Sequence, residues 1–165
     1  MKTIFLLLFP LFGFSQVKLA PKIFFKGKIQ ISVPVELQET ENPLYPENDD
    51  ILFTDEAKNV ILSISYTKDK LNTNQFYAYQ RFLIKGLKED FTDIIIIDTG
   101  VVIINERAIG FIKCQQEVNH KTVNSSIYFT SIEGMIFKIT LEYLKEYQNQ
   151  WGNTCRDMME TIRHF

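Results

Sequence analysis

The stretch DIIIIDTGVVIINERAIGFIKC, residues 93 to 114, decides how this chain is read. Eight of its first twelve residues are Ile or Val, β-branched side chains that suit a pleated surface better than a helix. The run lacks the polar alternation of a half-solvated strand, so it predicts a strand with both faces covered. A small polar interruption at Asn105-Glu106 follows, and then a second strand-like run that reaches Cys114.

Outward from this segment, several strands carry the two-residue period that buries one face. Ile29, Ile31, Val33 and Val35 alternate with Lys28, Gln30, Ser32 and Pro34. Val60, Leu62, Ile64 and Tyr66 do the same, after an Asp55 to Asn59 turn that makes a hairpin with Ile51 to Thr54. Met135, Phe137, Ile139 and Leu141 follow Glu133-Gly134 and give the cleanest alternation in the chain. One-sided strands of this kind belong to an antiparallel sheet.

Two segments have a helical period instead. The first begins near Asn72 or Thr73, residues able to cap free amides, and sets Phe76, Leu83, Leu87 and Phe91 along one stripe. The second spans about Lys145 to Arg163, with Tyr147, Trp151, Cys155, Met158 and Ile162 at spacings of three or four. Gly152 and Asn153 weaken its middle, since Gly costs about 1 kcal/mol relative to Ala in a helix. Both stripes read as core. The expected class is α+β, an antiparallel twisted sheet with the two helices packed on one face.

The N-terminus predicts export. Lys2 precedes an apolar run from Ile4 to Phe14, and Gly13-Phe14-Ser15 before Gln16 has the small-x-small pattern of a signal-peptide cleavage site. The run is too short to cross a bilayer, which takes about 20 residues. Residues 1–15 are thus expected to be removed, leaving residues 16–165 as a single domain. That loss takes one of 18 basic residues against 20 acidic ones, for a net charge near −3. The balance is too mild, and too unclustered, for nucleic-acid binding. No second stretch has the length of a membrane span.

The order of these elements resembles the PsbP-like superfamily, which includes the extrinsic photosystem II subunit, a Ran-binding import factor, DcrB-type envelope proteins and chaperones of type VI secretion effectors. The residues that carry the resemblance are GKIQISVP (27–34), ILSISYTKD (61–69) leading into the helix, GVVIINERAIGF (100–111), and the closing strand and helix. It covers nearly all of residues 16–165. Where the superfamily often has an Ile-Asn-Gly turn, this chain has Asn105-Glu106-Arg107, so a loop longer than two residues is expected. The resemblance implies a non-enzymatic module or adaptor that contacts another envelope or secreted protein.

The residues offer little chemistry of their own. His120 falls in a hairpin turn and His164 is next to last, so both read as mobile surface groups. Neither has a neighbour at metal-ligand spacing, and no metal or cofactor is expected. Asp98-Thr99-Gly100 is a single triplet, whereas aspartic-protease chemistry needs two carboxylates sharing a proton. It reads as a turn or bulge. Export permits a disulfide between Cys114 and Cys155, both of which are expected to point into one layer interface. A bridge and two buried free thiols both satisfy the pattern.

The remaining candidate is QETENPLYPENDD (38–50), an acidic stretch without a base that holds Leu44 and Tyr45 between prolines and ends on Asp49 and Asp50. Its length is that at which irregular loops are often functional, and it is expected to dock a partner protein. The alternative is a small apolar ligand carrier, with Phe76, Tyr77, Tyr79, Trp151 and Met158 around a cavity between helices and sheet.

Overall fold

The computed structural model describes residues 17–40, 50–57 and 59–165. The leader (1–15, with the cleavage point at Ser15/Gln16) and Leu44, Tyr45 and Asp49 of the acidic stretch lie outside the described residues. In chain order the elements are β1 (Leu19–Phe24), β2 (Ile29–Pro34), β3 (Gln38–Thr40), β4 (Ile51–Thr54), β5 (Val60–Lys70) and α1 (Phe76–Asp90). Then come β6 (Ile95–Ile104), β7 (Arg107–Val118), β8 (Lys121–Ile132), β9 (Met135–Leu144), α2 (Gln148–Trp151), α3 (Thr154–Glu160) and β10 (Arg163–His164). The α+β class and the antiparallel pairing are as expected. No described helix is long and apolar enough to cross a membrane.

The described strands form two sheets. The larger has the order β3-β4-β5-β9-β8-β7-β6, and the smaller has the order β1-β2-β10. Ile29, Ile31 and Val33 of β2 are fully buried against Leu62, Ile64, Ile139 and Leu141 of the large sheet, and Trp151, Cys155 and Met158 complete this main core. Val35, read as the fourth member of the first alternation, lies beyond the strand and is exposed.

The two helical segments occupy opposite faces of the large sheet, not one face. Successive strand residues point to opposite sides. Tyr128 belongs to the main core together with Cys155 and Met158 of α3, whereas Phe129 packs under α1 with Phe76 and Ile136. Ile136 explains why the period misled: it sits at a polar position of the β9 alternation, yet it is buried because α1 covers that side.

α1 starts as the sequence predicts. Asn72 caps a short 3-10 turn, and its N–H donates to Gln75 Oε1 at 3.0 Å. The second helical segment is broken at Gly152-Asn153 and ends at Glu160, short of the expected Arg163. Residues 163–164 pair instead with Gln30 and Ile29. His164 is therefore held in a strand, 3.5 Å from Glu133 Oε1, rather than mobile.

The turn after β6 also differs from expectation. Ile104 pairs with Arg107, so the connection is two residues, and Asn105 (φ 48°) and Glu106 (φ 63°) both take left-handed conformations. This backbone matches the twist of the flanking strands. Asn105 is further fixed by donating from Nδ2 to Glu160 O at 2.8 Å, which ties the hairpin to the end of α3.

Candidate interaction surface

β6, the apolar strand expected to be covered on both faces, is an edge strand. Among the described residues, only β7 pairs with it. Ile95, Ile97 and Ile103 are 63%, 54% and 69% exposed, and Val102 is exposed as well. An edge strand leaves half of its backbone donors and acceptors unpaired, a template for another strand. Natural edges are blunted with Lys, Pro or brevity, but β6 is ten residues long and its one charge is Asp98.

The Asp98-Thr99-Gly100 triplet lies within β6, next to a one-residue bulge between Ile96 and Asp98. Gly100 sits close to the Phe111 ring: a Cβ there would lie 3.1 Å from it, and the ring would have to give by a few tenths of an ångström. Asp98 Oδ1 accepts the Thr99 N–H at 2.8 Å. From α1, the buried Gln80 donates through Nε2 to both Gly100 O (2.9 Å) and Phe111 O (2.8 Å). That side chain locks β6 and β7 to the helix. Sequence reading missed it, because a Gln on a helix gives no periodic signal of burial.

Two hollows lie on opposite faces of the large sheet, and the larger of them reaches β6 at Ile97. One, of about 270 Å³, lies under the second half of α1, where Phe82, Leu87 and Phe91 overhang Lys138, Thr140 and Glu142. The predicted helix stripe thus divides: Phe76 is buried in the core under α1 and Leu83 packs against it, while Leu87 and Phe91 border this groove. Burial raises the Glu142 carboxyl above its ordinary range, opposed by a hydrogen bond with Ser125. The other hollow, of about 400 Å³, opens on the α2 side, with Ile97, Lys113, Asn124 and Tyr143 in its lining. There Gln148 Oε1 accepts from Tyr143 OH at 2.9 Å and from Asn124 Nδ2.

The thiols cannot meet. Cys114 pairs in register with Ser125, on the Phe129 side of the sheet, whereas Cys155 lies on the Tyr128 side and donates to Ser126 O at 3.4 Å. Both are free and buried. The expectation that they share an interface fails for the same reason as the expectation for the helices. Burial pushes the Cys114 thiol up to about 11 and raises that of Cys155 further, so neither is a ready nucleophile.

The expected carrier cavity also comes apart. Phe76 and Tyr79 lie with α1 on one face, Trp151 and Met158 lie buried on the other, and Tyr77 faces solvent. Of the acidic stretch, Asp50 is half-buried just before β4. Among the described residues, no group of three His, Cys, Asp or Glu is placed to hold a metal.

Solved structures share this architecture from end to end. The solution structure of cyanobacterial PsbP (CyanoP) from Synechocystis sp. PCC 6803 superposes with a TM-score of 0.67 at 10% identity, over 93% of this chain and 96% of that one. The chain has the PsbP-like fold. The same PsbP-like architecture is found in the Ran-binding protein Mog1p of Saccharomyces cerevisiae (TM-score 0.63, 12% identity, 90% and 96% covered). It is also found in LpqN of Mycobacterium tuberculosis, described as involved in cell envelope biogenesis (TM-score 0.53, 14% identity, 88% and 90% covered). No protein-family model and no curated protein matches the chain.

Proposed function

We propose that this PsbP-like chain is an exported, non-enzymatic protein-interaction module that binds by accepting a strand on the open edge of β6. The observation that carries this reading is the edge itself, ten residues long and studded with solvent-facing Ile and Val. Strand addition draws affinity from main-chain hydrogen bonds and specificity from pockets beside the edge. The hollow on the α2 side, which Ile97 of β6 helps to line, is suited to that second part.

The signal-like leader supports a site of action outside the cytoplasm, in keeping with the envelope role of LpqN, and the Ran binding of Mog1p supports a protein as the partner. The stretch bearing Leu44, Tyr45, Asp49 and Asp50 is proposed as a separate contact. Its flanks, β3 and β4, lie at the opposite edge of the sheet from β6.

The test is capture from the envelope fraction with the mature chain as bait, comparing wild type, Ile97→Lys/Ile103→Lys, and Leu44→Ser/Tyr45→Ser. The edge double variant is expected to lose a partner that wild type retains, with its circular dichroism unchanged. Equal capture by wild type and the edge variant would refute the β6 reading.

A further inference from the structure

We infer that the strand seated on β6 is the β6 of a second copy of this chain, antiparallel about a two-fold axis at Thr99; the inference rests on the edge reading above. Backbone direction is the first support. The Gly100 and Phe111 carbonyls both accept from Gln80 Nε2, so they face one another across the β6–β7 ladder. In an antiparallel ladder this direction alternates, which turns the N–H and C=O of Thr99 toward the open edge. The Thr99 N–H is engaged there by the adjacent Asp98 carboxylate, a local partner that a neighbouring strand can replace.

The second support is self-complementarity. A two-fold axis normal to a continuous antiparallel sheet passes between directly opposed residues, so one residue must face its own copy. Centring on Asp98 opposes two like charges, which is destabilising. Centring on Gly100 sets Asp98 against Val102. Centring on Thr99 pairs Thr with Thr, a favourable cross-strand combination, and sets Asp98 against Gly100, which has no side chain to crowd the carboxylate. Beyond it, with the extra residue of the bulge at Ile97 carried through, Ile96 faces Val101 and Ile95 faces Val102. Apolar residues then meet apolar residues along both arms.

The third support is closure. The other edge of the sheet, β3, is polar over its described residues Gln38, Glu39 and Thr40, and Glu39 is paired with Lys22. A β6-to-β3 contact that would propagate a filament has little to build on, whereas β6-to-β6 closes after two copies.

The test uses the mature chain, residues 16–165, in sedimentation velocity across micromolar to several hundred micromolar concentration. A concentration-dependent dimer is expected, weakened at least tenfold by Ile97→Lys and by Ile103→Lys and unchanged by Tyr77→Lys on the exposed face of α1. Spin labels on Thr99→Cys should report a shorter distance between copies than labels on Glu117→Cys, since the Thr99 Cα atoms would stand about 5.5 Å apart. A wild type that stays monomeric throughout, or a dimer indifferent to both Lys variants, overturns the inference. Capture with the edge variant then decides separately whether β6 serves a different protein.

Discussion

Glu106 sits at φ 63° with a full side chain, in a region where a non-glycine residue costs about 1–2 kcal/mol. Glu106→Gly relieves that strain and returns part of the gain as unfolded-state entropy. A net stabilisation of about 0.5–1 kcal/mol is expected, read from the denaturant midpoint at an unchanged m-value. Gln80 has the opposite character. Gln80→Ala removes two buried hydrogen bonds and is expected to cost about 2 kcal/mol, with the loss concentrated in the docking of α1 on β6 and β7. Glu142 supplies a pH dependence. Its carboxyl is raised in the folded state, so the folded protein holds that proton more tightly, and stability falls as pH rises from the ordinary carboxylate range through the raised value. Glu142→Gln should therefore flatten the pH profile of Tm, gaining on wild type near about pH 7 and matching it near about pH 3. None of these three roles was legible in the sequence. Each depends on a backbone angle or a neighbour that only tertiary structure supplies.

At the scale of elements, alternation proved a sound guide wherever one face met the main core. Leu62 and Ile64 in β5 and Phe137, Ile139 and Leu141 in β9 are all fully buried. What the period could not supply was lateral position. A dense Ile/Val run has the same composition whether two sheet faces are covered or an edge is left open, and the segment read as the most enclosed strand is the most exposed apolar one. The interaction surface was thus hidden inside the very stretch that identified the fold. The partner of β6 has a signal of a different kind, in Gly110 of β7. A Cβ at that position would overlap the Phe129 ring, which itself packs under Phe76 and Tyr79 of α1. Gly110→Ala is expected to destabilise by about 1–3 kcal/mol or more through overpacking. Thermal unfolding gives the size of the effect, and near-ultraviolet circular dichroism of the displaced aromatics gives its location.

The described residues form two cores divided by one sheet, and that division governs how the molecule should open. The main core joins both sheets and α3, whereas α1 is held to the other face by Phe76, Leu71, Phe129 and Ile136 with Tyr79, Leu83 and Val101 at the margin. The sheet also keeps the two thiols apart, so intact mass should be the same before and after reduction, and both thiols should react only on unfolding. A small cluster on one side of a rigid sheet is expected to release as a unit, at a lower free energy than the sheet behind it. Native-state hydrogen exchange should find the amides of α1 opening well below those of β5, β8 and β9. Phe76→Ala carries the distinction further. Removing a buried Phe costs about 3–5 kcal/mol, and here the loss should fall mainly on the α1 amides while β9 protection changes little. If α1 and β9 lost protection equally in that variant, the chain would unfold as one cooperative body. The groove under α1 would then have to be treated as part of a single core rather than as the border of a separately held helix.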